Sequence, residues 1–450
     1  MEQYATPLFD ALEQLRDEGC APFYMPGHKG RLDYPFTDAA GYDLTEIPGA
    51  DSLYDAQGAI FELEQRLASA YGAGATLLSA GGSTLCIQTM LSLVRKRSRQ
   101  LLAARNLHRA AVAAMGLLGL EPVWIPCPSS VDDPYGIDGL AVQPDPAWIE
   151  ELLCRNPDAG AVYLTSPDYF GQMADIPAIS DICHRHGVWL VVDNAHGAHL
   201  NRFRAALHPM QLGADLCCDS LHKNLPVLTG GAVLHLADPV LYHDAKYAMS
   251  LFGSSSPSYL IMLSVDRALP QMEGLDDRLL RLGGYVGALK DRLAEKGYQT
   301  IRSFVCDPIR LAVGFGCLGY TAASFYDYLH SRGIEPEYVS DSVAVFLPSP
   351  NNTPEELALL ERVLLQIIAK PPIAPVLTEG RVPRQVLSIA EAMSRPQSYI
   401  WVDQAEGRIA ARVVSNCPPG TPVAVPGEEI TAETINLLKS SGVEAVYVVK

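Results

Sequence analysis

Short apolar runs alternate with helical patterns through the first half of the chain, and this alternation restricts the fold more than any other feature of the sequence. The apolar runs occupy residues 75–79, 122–126, 160–165, 188–193, 214–219 and 231–236. Strands separated by helices pair side by side in the same direction, because each helix carries the chain back across the sheet. The pattern therefore predicts an α/β protein with a mostly parallel central sheet covered by helices.

The rest of the chain divides into an arm, a smaller domain and a C-terminal domain. A helical pattern followed by a Gly/Pro-rich stretch predicts an N-terminal arm over residues 1–54, before the large domain of residues 55–265. Mixed helical and strand-like patterns, with a capped helix starting at Thr353, predict a small α+β domain over residues 266–370. A proline-rich linker and a C-terminal α+β appendage are predicted over residues 371–450.

The composition narrows the class of partner. With 450 residues, 48% hydrophobic and 19% charged, the chain has enough apolar surface to bury a core in more than one domain. A net charge of −17 disfavours nucleic acid and anionic membranes as partners and favours cationic small molecules. Ten cysteines without a C-x-x-C pair, and no apolar run long enough to span a bilayer, predict a reduced, cytoplasmic protein.

Two residues at the ends of predicted strands give the strongest chemical signal. Asp193 ends the apolar run 188–193, and Lys223 follows the run 214–219 in a predicted loop. Ligands of open parallel sheets bind at the carboxyl ends of the strands. A carboxylate for a pyridine nitrogen and a desolvated amine for an aldehyde are what a pyridoxal-phosphate enzyme requires. The pair predicts this cofactor, although Asp193 alone could cap a helix and Lys223 alone could be a solvated surface residue.

A glycine-rich turn predicts where a phosphate binds. Residues 81–84, Gly-Gly-Ser-Thr, lie between the predicted strand 75–79 and a helical pattern. Unpaired amides at a helix start, together with the hydroxyls of Ser83 and Thr84, suit a dianionic phosphate. Serine and threonine are also ordinary helix caps, so this motif is informative only because Asp193 and Lys223 follow it in the chain.

Three histidines lie close to these motifs. His108 precedes a helical pattern and is placed to stack on the cofactor ring, although a single histidine in a loop more often has no special role. The spacing of His196 and His199 suits a metal site on a helix, but no third ligand accompanies them and Gly197 disfavours a regular helix there. We therefore predict no metal.

Several of these runs, taken together and in this order, resemble the bacterial Orn/Lys/Arg decarboxylase family. Each run is short, but the combination is specific and extends over nearly the whole chain. The resemblance implies the shorter type of the family, without the N-terminal wing domain. The runs are residues 26–30, 82–84, 105–108, 165–167, 193–199, 220–223 and 256–259, followed by 418–422 and 425–428.

The resemblance implies the aspartate-aminotransferase-like fold, or fold type I, and separate roles for the catalytic residues. Lys223 would bond covalently to the aldehyde of pyridoxal phosphate, Asp193 would pair with the pyridine nitrogen, and His108 would stack on the ring. His222 or Lys223 would supply the proton that replaces the lost carboxylate.

The resemblance also implies an oligomer. Ser256 would reach the phosphate from a neighbouring subunit, so we expect a homodimer or a higher oligomer with shared sites. The cofactor contacts within one subunit would be Ser83, Thr84, Ser220 and His222 on the phosphate, and Ala195 and His196 on the ring.

Three positions depart from the family pattern. Asn194 stands where the family usually has Glu, and Cys86 and Ile87 stand where Gly and Asn are usual. These departures bear on the geometry of the predicted phosphate loop. Lys223 and Asp193 themselves match the family pattern.

The reaction implied is decarboxylation of arginine, lysine or ornithine to agmatine or a diamine plus CO₂. Similarity to the short bacterial members that make agmatine narrowly favours arginine. The distal cation of each substrate calls for a carboxylate in a partly dry pocket, where a charge-assisted hydrogen bond is strong. Glu46, Asp51 and Glu428 are candidates, and each is equally readable as a solvated surface charge.

Two alternatives stay open from the sequence. Another pyridoxal reaction on the same fold, such as transamination or a lyase reaction, would use Asp193, Lys223 and Ser83 in the same way. A catalytically silent homologue that regulates an active decarboxylase is the second. Nucleotide binding is disfavoured, because neither G-x-G-x-x-G nor G-x-x-x-x-G-K-[ST] is present.

Overall fold

The structure is a computed structural model. The first element among its described residues is one short strand of the N-terminal arm. That strand, β1 (Ala21–Phe23), pairs in parallel with a strand of the small domain. Glu46 and the run 26–30 lie outside the described residues. The described residues are 20–23, 51–133, 135–203, 206–272, 274–302, 306–340, 342–374, 382–415, 422–440 and 442–450.

A seven-stranded sheet forms the centre of the large domain. Its order is β2–β8–β7–β6–β5–β3–β4; β8 runs antiparallel to both of its neighbours, and every other pair is parallel. The predicted α/β class with a mostly parallel sheet is confirmed. The strands are β2 (Ala75–Ser79), β3 (Gln100–Ala104), β4 (Glu121–Ile125), β5 (Ala159–Thr165), β6 (Trp189–Asp193), β7 (Leu216–Asp219) and β8 (Ala232–Leu236).

Helices cover both faces of this sheet. Successive side chains of each strand point to opposite faces, so both faces carry apolar side chains that the helices bury. On β5, Ala161 and Tyr163 belong to one apolar cluster, and Val162 and Leu164 belong to the other. Parallel strands buried on both faces leave only their ends for a site. The helices are α1 (Ala59–Tyr71), α2 (Gly82–Arg97), α3 (Arg109–Leu118), α4 (Pro146–Arg155), α5 (Ile176–Arg185), α6 (Leu221–Asn224), α7 (Tyr242–Ser250) and α8 (Tyr259–Met272).

The small domain is built on a four-stranded antiparallel sheet of order β12–β13–β10–β9, while β11 pairs with β1. Its last helix starts at a capping box in which Thr353 and Glu356 exchange hydrogen bonds, as predicted from Thr353. The elements are α9 (Asp276–Glu295), β9 (Gln299–Thr300), β10 (Leu311–Gly314), α10 (Ala322–His330), β11 (Ile334–Pro336), β12 (Tyr338–Val339), β13 (Val343–Phe346) and α11 (Pro354–Leu365).

The C-terminal domain packs on the helix that follows His108. Gly116 of α3 leaves room for this contact, since a Cβ atom there would lie 2.3 Å from the sulfur of Met393 and 2.9 Å from the Cγ2 of Ile389. The elements of the domain are α12 (Ile389–Ser394), β14 (Gln397–Trp401), β15 (Val414–Ser415), β16 (Pro422–Ala424), α13 (Ala432–Ser440) and β17 (Ala445–Val449).

Within the part of the chain that the structure describes, the helices are too short or too polar to cross a bilayer.

Candidate active site

A small cavity opens at the carboxyl ends of the central strands and brings together most of the predicted catalytic residues. Its lining residues all belong to the large domain. The lining residues are Ser83, Asn106, His108, Thr165, Tyr169, Asp193, Ala195, His196 and Lys223.

Asp193 is a buried carboxylate at the end of β6, with 2% of its surface exposed. Its Oδ1 accepts a hydrogen bond from the amide of Ala195 at 3.1 Å, and its Oδ2 accepts one from the Tyr163 hydroxyl at 3.4 Å. The chain continues from Asp193 into a turn, so the alternative in which this residue caps a regular helix does not describe it. The carboxylate is held in a dry position at the floor of the cavity.

Lys223 lies on one turn of helix, α6, and the predicted loop at this position is wrong. The turn forms because the Lys223 amide donates to the Ser220 carbonyl at 3.2 Å. The Lys223 Nζ lies 2.8 Å from the Nε2 of His196. Burial lowers the pKa of Lys223 to about 8, Asp193 opposes this effect, and Arg310 reinforces it. A surface lysine would keep its ordinary pKa, so the solvated interpretation of Lys223 does not hold.

His196 joins Lys223 to a residue of the small domain. Its Nδ1 lies 3.2 Å from the Nη2 of Arg310, and the Tyr169 ring packs edge-on against the imidazole at a centroid distance of 5.2 Å. Burial lowers the pKa of His196 well below its ordinary value, and the nearby Lys223 and Arg310 cations lower it further. The imidazole is therefore neutral.

His108 is fixed at the edge of the cavity by capping α3. Its Nδ1 accepts a hydrogen bond from the Ala110 amide at 3.2 Å, so a neutral ring carries its proton on Nε2. Burial lowers the pKa of His108. The ring position is set by the helix start, and its stacking on the cofactor stays a prediction.

The phosphate side of the site is the start of α2. Gly82 has φ +67°, and its amide donates to the Gly230 carbonyl at 2.8 Å, so the turn is tied to the loop before β8. The hydrogen bonds of a helix leave its first amides unpaired, and Ser83 in this first turn lines the cavity. Phosphate binding at this helix start stays a prediction.

The other predicted phosphate ligands surround this helix start at varying depth. Thr84 lines an adjacent cavity of about 320 Å³ together with Ser256 of the same chain. Ser220 is buried at the start of α6, and His222 donates from Nδ1 to the Gly231 carbonyl at 3.2 Å. Contact of Ser256 with the phosphate of a neighbouring subunit stays a prediction.

The predicted substrate carboxylates are engaged elsewhere. Glu428 is buried, and its Oε2 accepts a hydrogen bond from the Nη2 of Arg105 at 2.8 Å. Asp51 organises the start of α1, where burial raises its pKa but hydrogen bonds from the backbone outweigh this and lower it. We retain neither residue as a substrate ligand. The amides bound by Asp51 belong to Ser52, Gln57, Gly58, Ile60 and Phe61.

The departures from the family pattern have structural explanations. Cys86 and Ile87 are buried in the core on α2, away from the phosphate-binding turn. Asn194 donates from Nδ2 to the Oδ1 of Asp219 at 2.6 Å. Burial alone would raise the pKa of Asp219, but His208 and His235 donate to its Oδ2 and lower it below the ordinary value. A glutamate at position 194 would face this carboxylate, whereas the amide of Asn194 complements it.

Sequence reasoning missed several polar residues at the site. Thr165 could have been found from its place at the end of β5, and Asn106 from its place beside His108. Glu337 and Arg310 come from the small domain and are brought in by tertiary packing. The Tyr169 hydroxyl donates to the Oε1 of Glu337 at 2.8 Å, and the charge of Glu337 acts on Lys223.

The chain shares its fold with solved structures. It superposes on lysine decarboxylase A from Pseudomonas aeruginosa with a TM-score of 0.74 and 17% identity, over 99% of this chain and 80% of that chain. This likeness shows fold type I, the fold expected from the sequence.

The family follows from the sequence pattern of the two domains. The pattern of the Orn/Lys/Arg decarboxylase major domain matches residues 6–310, and that of the family's C-terminal domain matches residues 381–441. The chain belongs to the Orn/Lys/Arg decarboxylase family and is a pyridoxal-phosphate-dependent decarboxylase. It is 28% identical to arginine decarboxylase of Bacillus subtilis over 97% of this chain and 94% of the relative. Arginine decarboxylase of Halalkalibacterium halodurans is 27% identical over 98% and 94%.

The cavity fits this cofactor. The amide nitrogen and oxygen of Asn106 and the hydroxyl of Thr165 are buried in the wall and have no hydrogen-bond partner among the described residues. Buried polar groups are normally paired, so these atoms point to a polar ligand in the cavity. Asp193, Lys223 and the start of α2 supply the carboxylate, amine and anion site that pyridoxal phosphate requires.

Proposed function

We propose that this chain decarboxylates arginine to agmatine and CO₂. Among basic amino acids, arginine is favoured because the arginine decarboxylases of Bacillus subtilis and Halalkalibacterium halodurans match almost the full length of the chain. The constitutive lysine decarboxylase of Escherichia coli matches 61% of this chain at 21% identity. The observation that supports a basic substrate is Glu337, a carboxylate bound by the cavity-lining residue Tyr169, whose charge acts on Lys223.

Glu337 takes the place of Asp51 and Glu428 as the proposed substrate carboxylate, while Glu46 lies outside the described residues and stays a prediction. Glu337 is half-buried, and the Tyr169 hydroxyl donates a hydrogen bond to one of its oxygens. A guanidinium offers several donors in a plane and binds a carboxylate through more than one hydrogen bond. In the proposal, Glu337 receives the distal guanidinium of arginine and so orients the carboxylate at the other end of the substrate.

Pyridoxal phosphate supplies an electron sink that accepts the electron pair of the Cα–carboxylate bond. Asp193 keeps a proton on the pyridine nitrogen, and its burial makes this charge pairing strong. The lowered pKa of Lys223 leaves part of the amine neutral near neutral pH, as a nucleophile requires. The Ser83 hydroxyl and the amides that start α2 hold the phosphate.

The proton that replaces the lost carboxylate is assigned to Lys223. Of the two predicted donors, His222 has its Nδ1 proton engaged with the Gly231 carbonyl at 3.2 Å. The Nζ of Lys223 lines the cavity itself. Lys223 therefore both holds the cofactor and moves the proton at Cα, and His222 is a support for the turn that carries it.

The proposed assembly is a homodimer in which the loop of Ser256 completes the neighbouring site. In support, Ser256 is exposed on the surface of this chain, where a neighbouring subunit can contact it. Light scattering of the purified protein measures the mass directly, and a monomer that is fully active would contradict a shared site.

The experiment that tests the function records the absorption spectrum of the protein and of Lys223→Ala, and then CO₂ release from arginine, lysine and ornithine separately. Lys296→Ala, which changes an exposed lysine, is the control. The expected result is a visible band lost only in Lys223→Ala and CO₂ released fastest from arginine. Faster release from lysine or ornithine would overturn the arginine assignment. A coloured protein that releases no CO₂ from any of the three would point to another pyridoxal reaction.

A further inference from the structure

Arg310 is a buried cation that reaches from the small domain into the catalytic site. Only 1% of its surface is exposed. Its Nη2 lies 3.2 Å from the Nδ1 of His196, and its Nη1 donates to the Tyr169 carbonyl at 3.2 Å. Its Nε lies 3.8 Å from the Oδ2 of Asp307. The guanidinium is therefore directed at His196, the histidine whose Nε2 lies 2.8 Å from the Nζ of Lys223.

The contact with Arg310 determines which nitrogen of His196 carries the proton. A guanidinium only donates hydrogen bonds, so the Nδ1 of His196 must accept. Because the buried imidazole is neutral, its single proton then sits on Nε2. The Nε2–H group faces the Nζ of Lys223 at 2.8 Å.

The same reasoning reaches Lys223. An ammonium group has three donors and no acceptor, so it would meet the Nε2–H of His196 donor to donor. A neutral amine has a lone pair and accepts this hydrogen bond. The arrangement of Arg310, His196 and Lys223 is therefore complementary to the nucleophilic form of the lysine.

We propose that Arg310 is a positioning residue that acts on Lys223 through His196, by fixing the proton of that imidazole on Nε2. The inference rests on Lys223 being the cofactor-bonding lysine of the proposed function. This role explains why a buried arginine lies in a site whose proposed substrate is itself cationic.

The surroundings of Arg310 are built to hold it in this position. Gly171 has φ +94°, and a Cβ atom there would lie 2.5 Å from the Cγ of Arg310, so the side chain passes through a space that only glycine leaves open. Asp307 faces the guanidinium and is itself held by His199, whose Nε2 lies 2.9 Å from its Oδ1. Protein groups, rather than water, therefore hold the Arg310 side chain in place.

Other charged or titratable groups also act on the Lys223 amine, and the test has to separate them from the relay. Asp193 and Glu337 favour the ammonium form, and Arg310 disfavours it directly by its charge. Among the described residues, the charged or titratable groups that act on the amine are Asp193, His108, His196, Cys218, Arg310 and Glu337, and His222 acts on His196.

The experiment measures the reactivity of the Lys223 amine in the full chain freed of cofactor. Trace acetylation with acetic anhydride across a pH series, quantified by mass spectrometry of the Lys223 peptide, reports the fraction of neutral amine. Lys296 in the same digest is the internal standard, since it is exposed. Because no cofactor or substrate is involved, failure of the arginine assignment leaves this result interpretable.

The expected result is that Arg310→Met lowers Lys223 acetylation at pH 7 about tenfold, the effect of one pKa unit. Arg310→Lys keeps a cationic donor and is expected to stay within about twofold of the unaltered protein. In a His196→Ala background the relay is absent, so Arg310→Met should change acetylation by only about twofold.

Two results would overturn the proposal. One is a folded Arg310→Met protein with unaltered Lys223 acetylation. The other is an equal effect of Arg310→Met in the presence and absence of His196, which would assign the effect to charge alone. If Arg310→Met does not fold, His196→Ala by itself decides: the relay requires lower acetylation of Lys223, and unchanged acetylation contradicts it.

Discussion

The Nη2 of Arg105 donates a 2.8 Å hydrogen bond to the Oε2 of Glu428, and this buried contact joins the C-terminal domain to the loop that carries His108. Arg105 and Glu428 expose 12% and 1% of their side chains. Burial lowers the pKa of Arg105 and raises that of Glu428, while each charge opposes the effect on the other. Through this contact the C-terminal domain helps to hold the loop that carries His108 in position.

Glu428→Gln is expected to lower the free energy of unfolding by about 3 kcal/mol, because it leaves the buried Arg105 cation without its counter-charge. Denaturant unfolding measures this loss. Glu429→Gln, which changes the neighbouring and more exposed carboxylate, is the control and should have little effect. If Glu428→Gln instead raised the KM for the amino acid without loss of stability, the substrate role predicted from the sequence would be restored.

Asp51→Ala is expected to destabilise the protein by about 1–2 kcal/mol, because the start of α1 loses a side-chain cap. The KM for arginine should not change, since the carboxylate faces backbone amides rather than the cavity. Thermal unfolding and steady-state kinetics separate the two effects. Asp55→Ala, at an exposed acid in the same loop, is the matched control. A raised KM with unchanged stability would contradict the capping role.

Glu337→Gln is expected to raise the KM for arginine by at least about tenfold, because the substrate cation loses a charge-assisted hydrogen bond worth roughly 1.5–3 kcal/mol. Glu335→Gln provides a matched control, because that carboxylate lies two residues away and contacts His330 at 3.0 Å. Equal KM values for the two variants would remove Glu337 from substrate recognition.

Asn194→Asp is expected to destabilise the protein by about 2–3 kcal/mol at pH 7, since a second buried carboxylate would face Asp219. The loss should shrink in acid, where one of the two carboxyls takes up a proton. Combining Asn194→Asp with Asp219→Asn restores a donor to the pair, so the double variant should be more stable than the sum of the single losses predicts. Strict additivity in denaturant unfolding would show that the two positions do not interact.

The lowered pKa of Asp307 predicts that the protein loses stability in acid. Burial raises its pKa, but His199 and Arg310 outweigh this and bring it to about 2. A lowered pKa contributes stability that is present above the unfolded pKa, near 3.9, and is lost as the pH falls through the folded value. The contribution is about 2.6 kcal/mol, and it should disappear between about pH 5 and pH 1. Asp307→Asn should be less stable at pH 6 and lose less stability over that range, as measured by denaturant unfolding at each pH.

The sequence predicted those parts of the fold and site that local patterns encode. Asp193 and Lys223 were found because both follow apolar strands whose ends meet at one edge. Strand β3 was missed, since Leu and Ala favour helices and only burial between β4 and β5 makes this segment extended. The turn of α6 was likewise too short to give a helical pattern.

Errors arose where a partner lies far along the chain. Glu428 was read as a substrate ligand because nothing near it in sequence reveals Arg105, and Asp51 because its partners are backbone amides that converge only in the folded loop. Glu337 and Arg310 were missed for the same reason: neither follows a strand of the central sheet, and each reaches the site only when the small domain packs on the large one.

The antiparallel direction of β8 determines which parts of the site residues 224–231 connect. Because β8 starts at the edge where the other strands end, residues 224–231 run from Lys223 directly back to the glycine turn of α2, to which Gly230 is hydrogen-bonded. This segment is a spacer between the proposed covalent anchor of the cofactor and its proposed anion site. Insertions and deletions there would change the distance between the two anchors, and the buried side chains of Leu225 and Val227 hold the spacer in the core.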